Sequence, residues 1–371
     1  MTKPHAEPFL LNRVLLRFEQ GAEELLNNLS AIQLTPDGSL WLGSDELSLV
    51  EQTECNTLDR LSLREPGIFG AHVPFKIQDF IELSDEAGEI DIEGLDYADS
   101  YLWFTGSHST KRKKPKGKNL EKDIQRLTEI EADVNRYLIA RIPVVTGQLH
   151  KVCSLLDQPS EALTAAYLRR DEEGNQLMIA LQADPHLGRY IAAGIPSKEN
   201  GLDVEGIAVR QNRLFLGLRG PVLRGWAMLI EVELAEGSPG ELQLQPLEGT
   251  DQLYRKHFLD LNGLGVRDLC FYGDDLLILA GPTLDLTGSQ GIYRWRDALH
   301  SSDHTISSLE SGQLELLFNL PYSATGDKAE GMTLFPSLGE VGLLVVYDAP
   351  NPERIVTTQG VYADVFRLPL S

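Results

Sequence analysis

The chain has 371 residues, with 55 Asp and Glu against 33 Lys and Arg, a formal net charge of −22. That balance excludes the basic surface by which proteins hold nucleic acid or an anionic membrane nonspecifically, and leaves cations, basic ligands or water as natural partners. No apolar run reaches the roughly 18 residues of a membrane-spanning helix, and the first twenty residues lack a signal-peptide core, so a cytoplasmic protein is expected.

The elements fall in a repeated order. "RVLLRF" near the N-terminus reads as a strand with no hairpin of its own. A first hairpin, "AIQLTPDGSLWLGSDE", starts at Ala31 and is preceded by Ser30; "FKIQDFIEL" follows as an outer-strand candidate. The second hairpin, "EGLDYADSYLWFTGS", opens on Glu93-Gly94 and is continued by "RYLIARIPV" and "QLHKVCSLL". The third, "EGIAVRQNRLFLGLR", opens on Glu205-Gly206, aligns with the second without a gap, and is followed by "WAMLIEVEL" and "YRKHFLDL". The fourth, "RDLCFYGDDLLILAGP", puts Asp268 where a glutamate would stand, and "GIYRWRD" and "LELLFNL" follow it. The fifth opens on Glu330-Gly331, and "DVFRLPL" is its last strand, one short of four.

Four strands per repeat, with period-2 alternation in each, is the signature of an all-β fold of the β-propeller type. Five four-stranded blades are expected, with the N-terminal strand closing the last blade and removing its open edge. A sixth blade built from residues 152 to 200 is the alternative. Two insertions interrupt the strands: about 118–137, with apolar residues at helical spacing (Leu120, Ile124, Leu127, Val134, Tyr137), and about 160–195. Both read as helices capping one face of a single domain spanning 1–371.

In such a fold the first strand of each blade lines the channel. The acidic residues at its start converge on one mouth, and the ends of the second strands return there. Glu93, Glu205, Asp268 and Glu330 are therefore the candidate metal ligands. Left uncompensated, they would raise one another's pKa values. Calcium or another divalent cation is one compensation. Neighbouring Lys198, Lys328, Arg219 and Lys76, together with channel water, are the other, and would make the ring purely structural. Ser107, Arg219, Asp348 and Lys198 are candidate ligand-binding residues, and Glu205 and His108 candidate catalytic ones. His72 and His186 read as fold-fixing. The glycine after each glutamate lets neighbouring backbone approach closely and tolerates a bulge.

The basic run "STKRKKPKGKN" reads either as a dock for a phosphate-bearing ligand or as a mobile solvated loop. Cys55, Cys153 and Cys270 are widely spaced with no CxxC pair, and read as reduced core residues. No nucleophile elbow, phosphate-binding loop, dinucleotide fingerprint or HExxH is present.

The segments "FGAHVPFK", "DIEGLDY", "PSKENGLDVEGIAVR", "AGPTLDLTG" and "KAEGMTLF" resemble a bacterial family known as domain of unknown function 3616, over roughly residues 27 to 370. A looser resemblance, in the repeated acidic-Gly strands, is to esterase-like phytases and lactonase-type calcium propellers. It implies a divalent metal in the channel and hydrolysis of a phosphoester or lactone. Two functions are therefore expected in the alternative: binding and possible hydrolysis of a small anionic molecule, or a noncatalytic scaffold holding a protein or peptide on the capped face.

Overall fold

The computed structural model describes residues 10–19, 22, 24–50, 53–85, 88–155, 162–171, 174–284, 286–321 and 326–369. Most of the longer strands among these residues pair antiparallel in five successive sets. The first runs Leu29–Leu34, Ser39–Ser44, Thr57–Glu65 and Ile68–Lys76. The second comprises Ile92–Ala98, Tyr101–Gly106, Ile139–Val145 and Ala166–Leu168. In the third, Asp203–Arg210, Arg213–Leu223 and Trp226–Glu236 are followed by an outer edge shared between Glu241–Gln245 and Arg255–Asp260. The fourth contains Gly265–Tyr272, Asp275–Gly281, Gly291–Trp295 and Leu314–Asn319.

The fifth set has Lys328–Ser337, Glu340–Asp348 and Gly360–Arg367, and takes its fourth strand, Leu10–Arg17, from the N-terminus. The expected closure is therefore present. The leading strands of the sets touch in cyclic order, the fifth packing back on the first.

Leading strands are buried on both faces, so they read as near-continuous apolar runs; in Asp203–Arg210 only the last residue is exposed. Apolar side chains fill each gap between consecutive sets. Ile207, Leu216 and Trp103 lie between the second and third, and Phe215, Ile278 and Trp295 between the third and fourth. Tight two-residue turns join the leading hairpins of the second and fifth sets. Asp99 and Ser100 (φ 51° and 68°) and Leu338 and Gly339 (φ 52° and 84°) adopt the left-handed conformations that match strand twist.

The insertions differ from expectation. In the first, only Leu120–Arg126 is α-helical, capped by Asn119, whose side chain accepts from the Lys122 amide at 3.0 Å. This helix buries none of its residues, because the apolar stripe that suggested a long helix has no partner to pack on. Flanking it, Thr110–Arg112 pairs antiparallel with Ile130–Ala132, so the start of the basic run is a strand. In the second insertion, "SEALTAAYLRR" supplies strands Ala162–Thr164 and Ala166–Leu168; its first two residues, like 156–159, lie outside the described residues. Helices do form at Gln176–Gln182 and Gly188–Ala193, the former burying Leu177, Met178 and Leu181. Among the described residues, 152–200 builds no further four-stranded set. Cys55 and Cys270 are buried, Cys153 only partly, and none is in a disulfide. No described helix is long and apolar enough to cross a membrane.

Candidate functional site

Each leading strand carries a bulge near its start. The ladder skips one residue between Leu29 and Ala31, Ile92 and Gly94, Val204 and Gly206, Val266 and Asp268, and Ala329 and Gly331. The skipped residues are Ser30, Glu93, Glu205, Arg267 and Glu330. These five positions are structurally equivalent, and the last four line one cavity of about 740 Å3. The sequence register was off by one in the fourth set: Asp268 occupies the position of the glycines, and an arginine stands in the ring.

Close packing explains those glycines. A Cβ on Gly94 would lie 2.9 Å from the Ile207 amide nitrogen, one on Gly206 2.9 Å from Asp268 Cα, and one on Gly331 3.0 Å from Ala31 Cα. Asp268 itself points into the gap between sets. Its Oδ2 accepts from the Met332 amide at 2.7 Å, as Asp96 accepts from Val209 at 2.6 Å. Burial holds Asp268 well above the usual carboxylate range, and it does not line the cavity.

Arginines answer half of the charge question. Glu205 Oε2 lies 2.9 Å from Arg267 Nε, and Glu205 Oε1 accepts from Arg219 Nη1 at 2.8 Å. Arg267 also reaches Glu330 through Nη2, and Arg219 Nε donates to the Thr283 carbonyl at 3.0 Å. All four side chains are nearly inaccessible. Such pairs add little net stability, yet removing one partner strands the other.

The second half is acidic. Two residues before Glu93 and Glu205 stand Asp91 and Asp203, giving the repeated pattern D-x-E-G. Glu93, Asp203 and Glu205 each offer an oxygen within 4.8 Å of the others. Glu93 makes no hydrogen bond or ion pair among the described residues. Burial, with Glu205, Asp91 and Asp203 close by, holds it well above its ordinary pKa. Asp203 is pushed up to about 8, by burial first and Glu205 second, against the pull of Arg219 whose Nη1 is 3.8 Å away. Its buried Oδ1 has no hydrogen-bond partner. Asp45, at the end of the first hairpin, is pushed up to about 7 by burial and by Asp91 and Asp348. Its Oδ1 is likewise buried and unpartnered. Glu93 and Asp203, hard-oxygen donors with unmet valence beside the arginine-held Glu205, suit a divalent cation.

The lid is tied to this half. Lys111, on the strand Thr110–Arg112, places Nζ 2.8 Å from Asp91 Oδ1 and 3.0 Å from Glu89 Oε2. Arg112 Nη2 donates to Glu199 at 2.9 Å. The basic run thus walls the cavity in part by pairing with the protein's own acids.

The remaining expected residues divide. Arg219, Lys198 and Asp348 line the cavity, the last with Lys328 Nζ 4.0 Å away. Ser107 and His108 do not. Ser107 is fully buried; its Oγ accepts from Ser109 at 2.9 Å and its carbonyl from the Val204 amide at 2.7 Å. His108 Nδ1 donates to the Gly106 carbonyl at 2.8 Å, and Nε2 accepts from Asn175 at 2.7 Å. Burial lowers its pKa to about 4. It is a fixed, neutral ring between strand and insertion, turned from the mouth because the chain reverses at its left-handed φ of 56°. His72, expected to fix the fold, is buried against Asp59 at 2.5 Å. Sequence reasoning missed Asp91, Asp203 and Arg267; the doubled D-x-E-G was the available signal for the first two, while Asp45, as a second-strand end, and Lys111, in the basic run, were expected at the mouth.

A family model described as Protein of unknown function (DUF3616) matches residues 28–364. No curated protein matches the chain. Among solved structures, virginiamycin B lyase from Staphylococcus aureus is similar at 10% identity and TM-score 0.36, over 96% of this chain and 99% of that one. A carbohydrate-active enzyme of family AA12 from Trichoderma reesei is similar at 10% identity and TM-score 0.37, over 98% of each chain. A glucose dehydrogenase is similar at 15% identity and TM-score 0.34, over 92% and 81%.

Proposed function

The chain belongs to the family DUF3616, whose description assigns no activity, and we propose its function from the cavity alone. It is a five-bladed propeller that binds a small anionic molecule at the channel mouth through a divalent cation, with hydrolysis of a phosphoester or lactone as the reaction its residues would perform. The observation that carries this reading is the buried, unpartnered Oδ1 of Asp203 beside Glu93 and Glu205. A buried polar atom without a partner is costly, and a shared cation would satisfy it.

Glu93 and Asp203 would hold the ion, with Glu205 kept in place by its two arginines. When bound, a divalent cation polarises a phosphoryl or carbonyl oxygen and lowers the pKa of a bound water. Arg219 and Lys198 line the same cavity and would orient an anion. Asp45, titrating near neutrality at the cavity wall, takes the proton-exchanging part expected of His108.

Thermal unfolding with calcium, magnesium, manganese or a chelator tests the reading, since a ligand of the folded state alone must stabilise it. A cation-dependent shift that disappears in Asp203→Asn is expected. A screen of phosphoesters and lactones against the same variant then tests catalysis. Equal background rates in both proteins would leave the noncatalytic scaffold as the function.

A further inference from the structure

We infer that the molecule taken by this cavity is amphiphilic, with an anionic head toward the charged ring and an apolar group in a collar above it. This deepens the proposed function and rests on its anionic-ligand part. The collar comes from separate segments. The lid supplies Leu127, and the loop after the second strand of the fourth set supplies Pro282, Leu284 and Leu286. Pro196, just before the third set, completes it.

Leu127, Leu284 and Leu286 are 47%, 42% and 64% exposed. Scattered surface leucines need no explanation, but here three line one cavity whose floor is ionic. The volume, about 740 Å3, is that of a small-molecule site. Charge points the same way. Lys114 and Lys198 line the same cavity and form no ion pair among the described residues, so two positive charges are free to meet an anionic head. A head of negative charge and a short apolar chain complement both layers at once.

The test uses the full chain and two series, n-alkyl phosphates and n-alkyl carboxylates from methyl to hexyl, titrated by calorimetry below their aggregation concentrations. Each methylene removed from water should tighten binding roughly fourfold. The double variant Leu284→Ser/Leu286→Ser changes exposed residues and should fold normally. In it the chain-length dependence should flatten, while binding of inorganic phosphate and any cation-linked melting shift stay unchanged. Equal affinities for methyl and hexyl compounds in both series, or an undiminished dependence in the double variant, would overturn the inference. Self-association abolished by the double variant would instead assign the collar to a second copy, and capture of an apolar peptide by the same leucines would assign it to a scaffold partner. Chain-length dependence without a cation shift would remove the metal and leave the amphiphile; a cation shift without chain-length dependence would do the reverse.

Discussion

Replacing Asp203 by Asn keeps the shape of the side chain and removes its capacity to ionise. At an effective dielectric constant of about 20, two carboxylates 4.8 Å apart repel by about 3.5 kcal/mol, and Arg219 at 3.8 Å returns about 4 kcal/mol. One acidic neighbour therefore cancels the arginine. Glu93 as a second neighbour, and burial, leave the ionised form penalised, in line with a pKa near 8. Because the folded pKa is raised, the group's contribution is fully present below the unfolded value of about 3.8 and is lost as pH climbs toward about 8.

At about 1.4 kcal/mol per pKa unit the full effect is bounded near 6 kcal/mol. The amide must still be buried and Arg219 loses a partner, so a gain of about 2 kcal/mol at pH 8 is expected, or a few degrees in melting temperature. Melting curves of wild type and variant in chelator, from pH 4 to 9, are the assay. The variant should gain on wild type up to about pH 8 and hold a constant advantage above it. A variant that melts lower by a constant amount at every pH would refute the reasoning, because Asp203 would then be an ionised partner of Arg219.

Other consequences follow from the same geometry. Arg267→Met leaves Glu330 and one oxygen of Glu205 buried without a counter-charge, and should cost about 3 kcal/mol or more in denaturant unfolding; an unchanged midpoint would show that the ring is not held by this arginine. His108→Gln should leave neutral-pH turnover of any substrate found unchanged. It should also flatten the stability lost by wild type between about pH 6.5 and 4, where the unfolded histidine protonates and the buried one, lowered to about 4, does not; a hundredfold rate loss at unchanged stability would restore it as a catalytic group. Gly206→Ala would set a methyl 2.9 Å from the Asp268 backbone and should destabilise by about 2–3 kcal/mol or block folding, read by expression and melting. Cation binding should strengthen from pH 5 to 8, since the ion displaces protons held by Asp203 and Glu93; isothermal titrations with equal affinity at both ends would exclude these two as ligands.

The repeat was legible because strand alternation and the Glu-Gly pairs recur as plain text. So was the closing strand, since "RVLLRF" had no hairpin and the fifth set lacked an edge. The register of the fourth set was not. Chemistry favoured matching Asp268 to the glutamates, whereas the bulge counts backbone positions and selects Arg267. The lid helix misled for a related reason: helical spacing at Leu120, Ile124 and Leu127 says which face is apolar and not whether anything covers it. His108 sits beside the mouth in sequence, but the reversal after Gly106 turns its ring inward, a fact of one backbone angle.

The borrowed strand has an effect on assembly. Leu10–Arg17 is made well before its antiparallel partner Gly360–Arg367. Arg267 and Glu330 pair across one junction of the ring, and Ser30 donates to the Ile92 carbonyl across another. The cavity's walls close into a ring only once the fifth set packs on the first, so a partly made chain would hold some of the acidic residues without the full ring of neighbours.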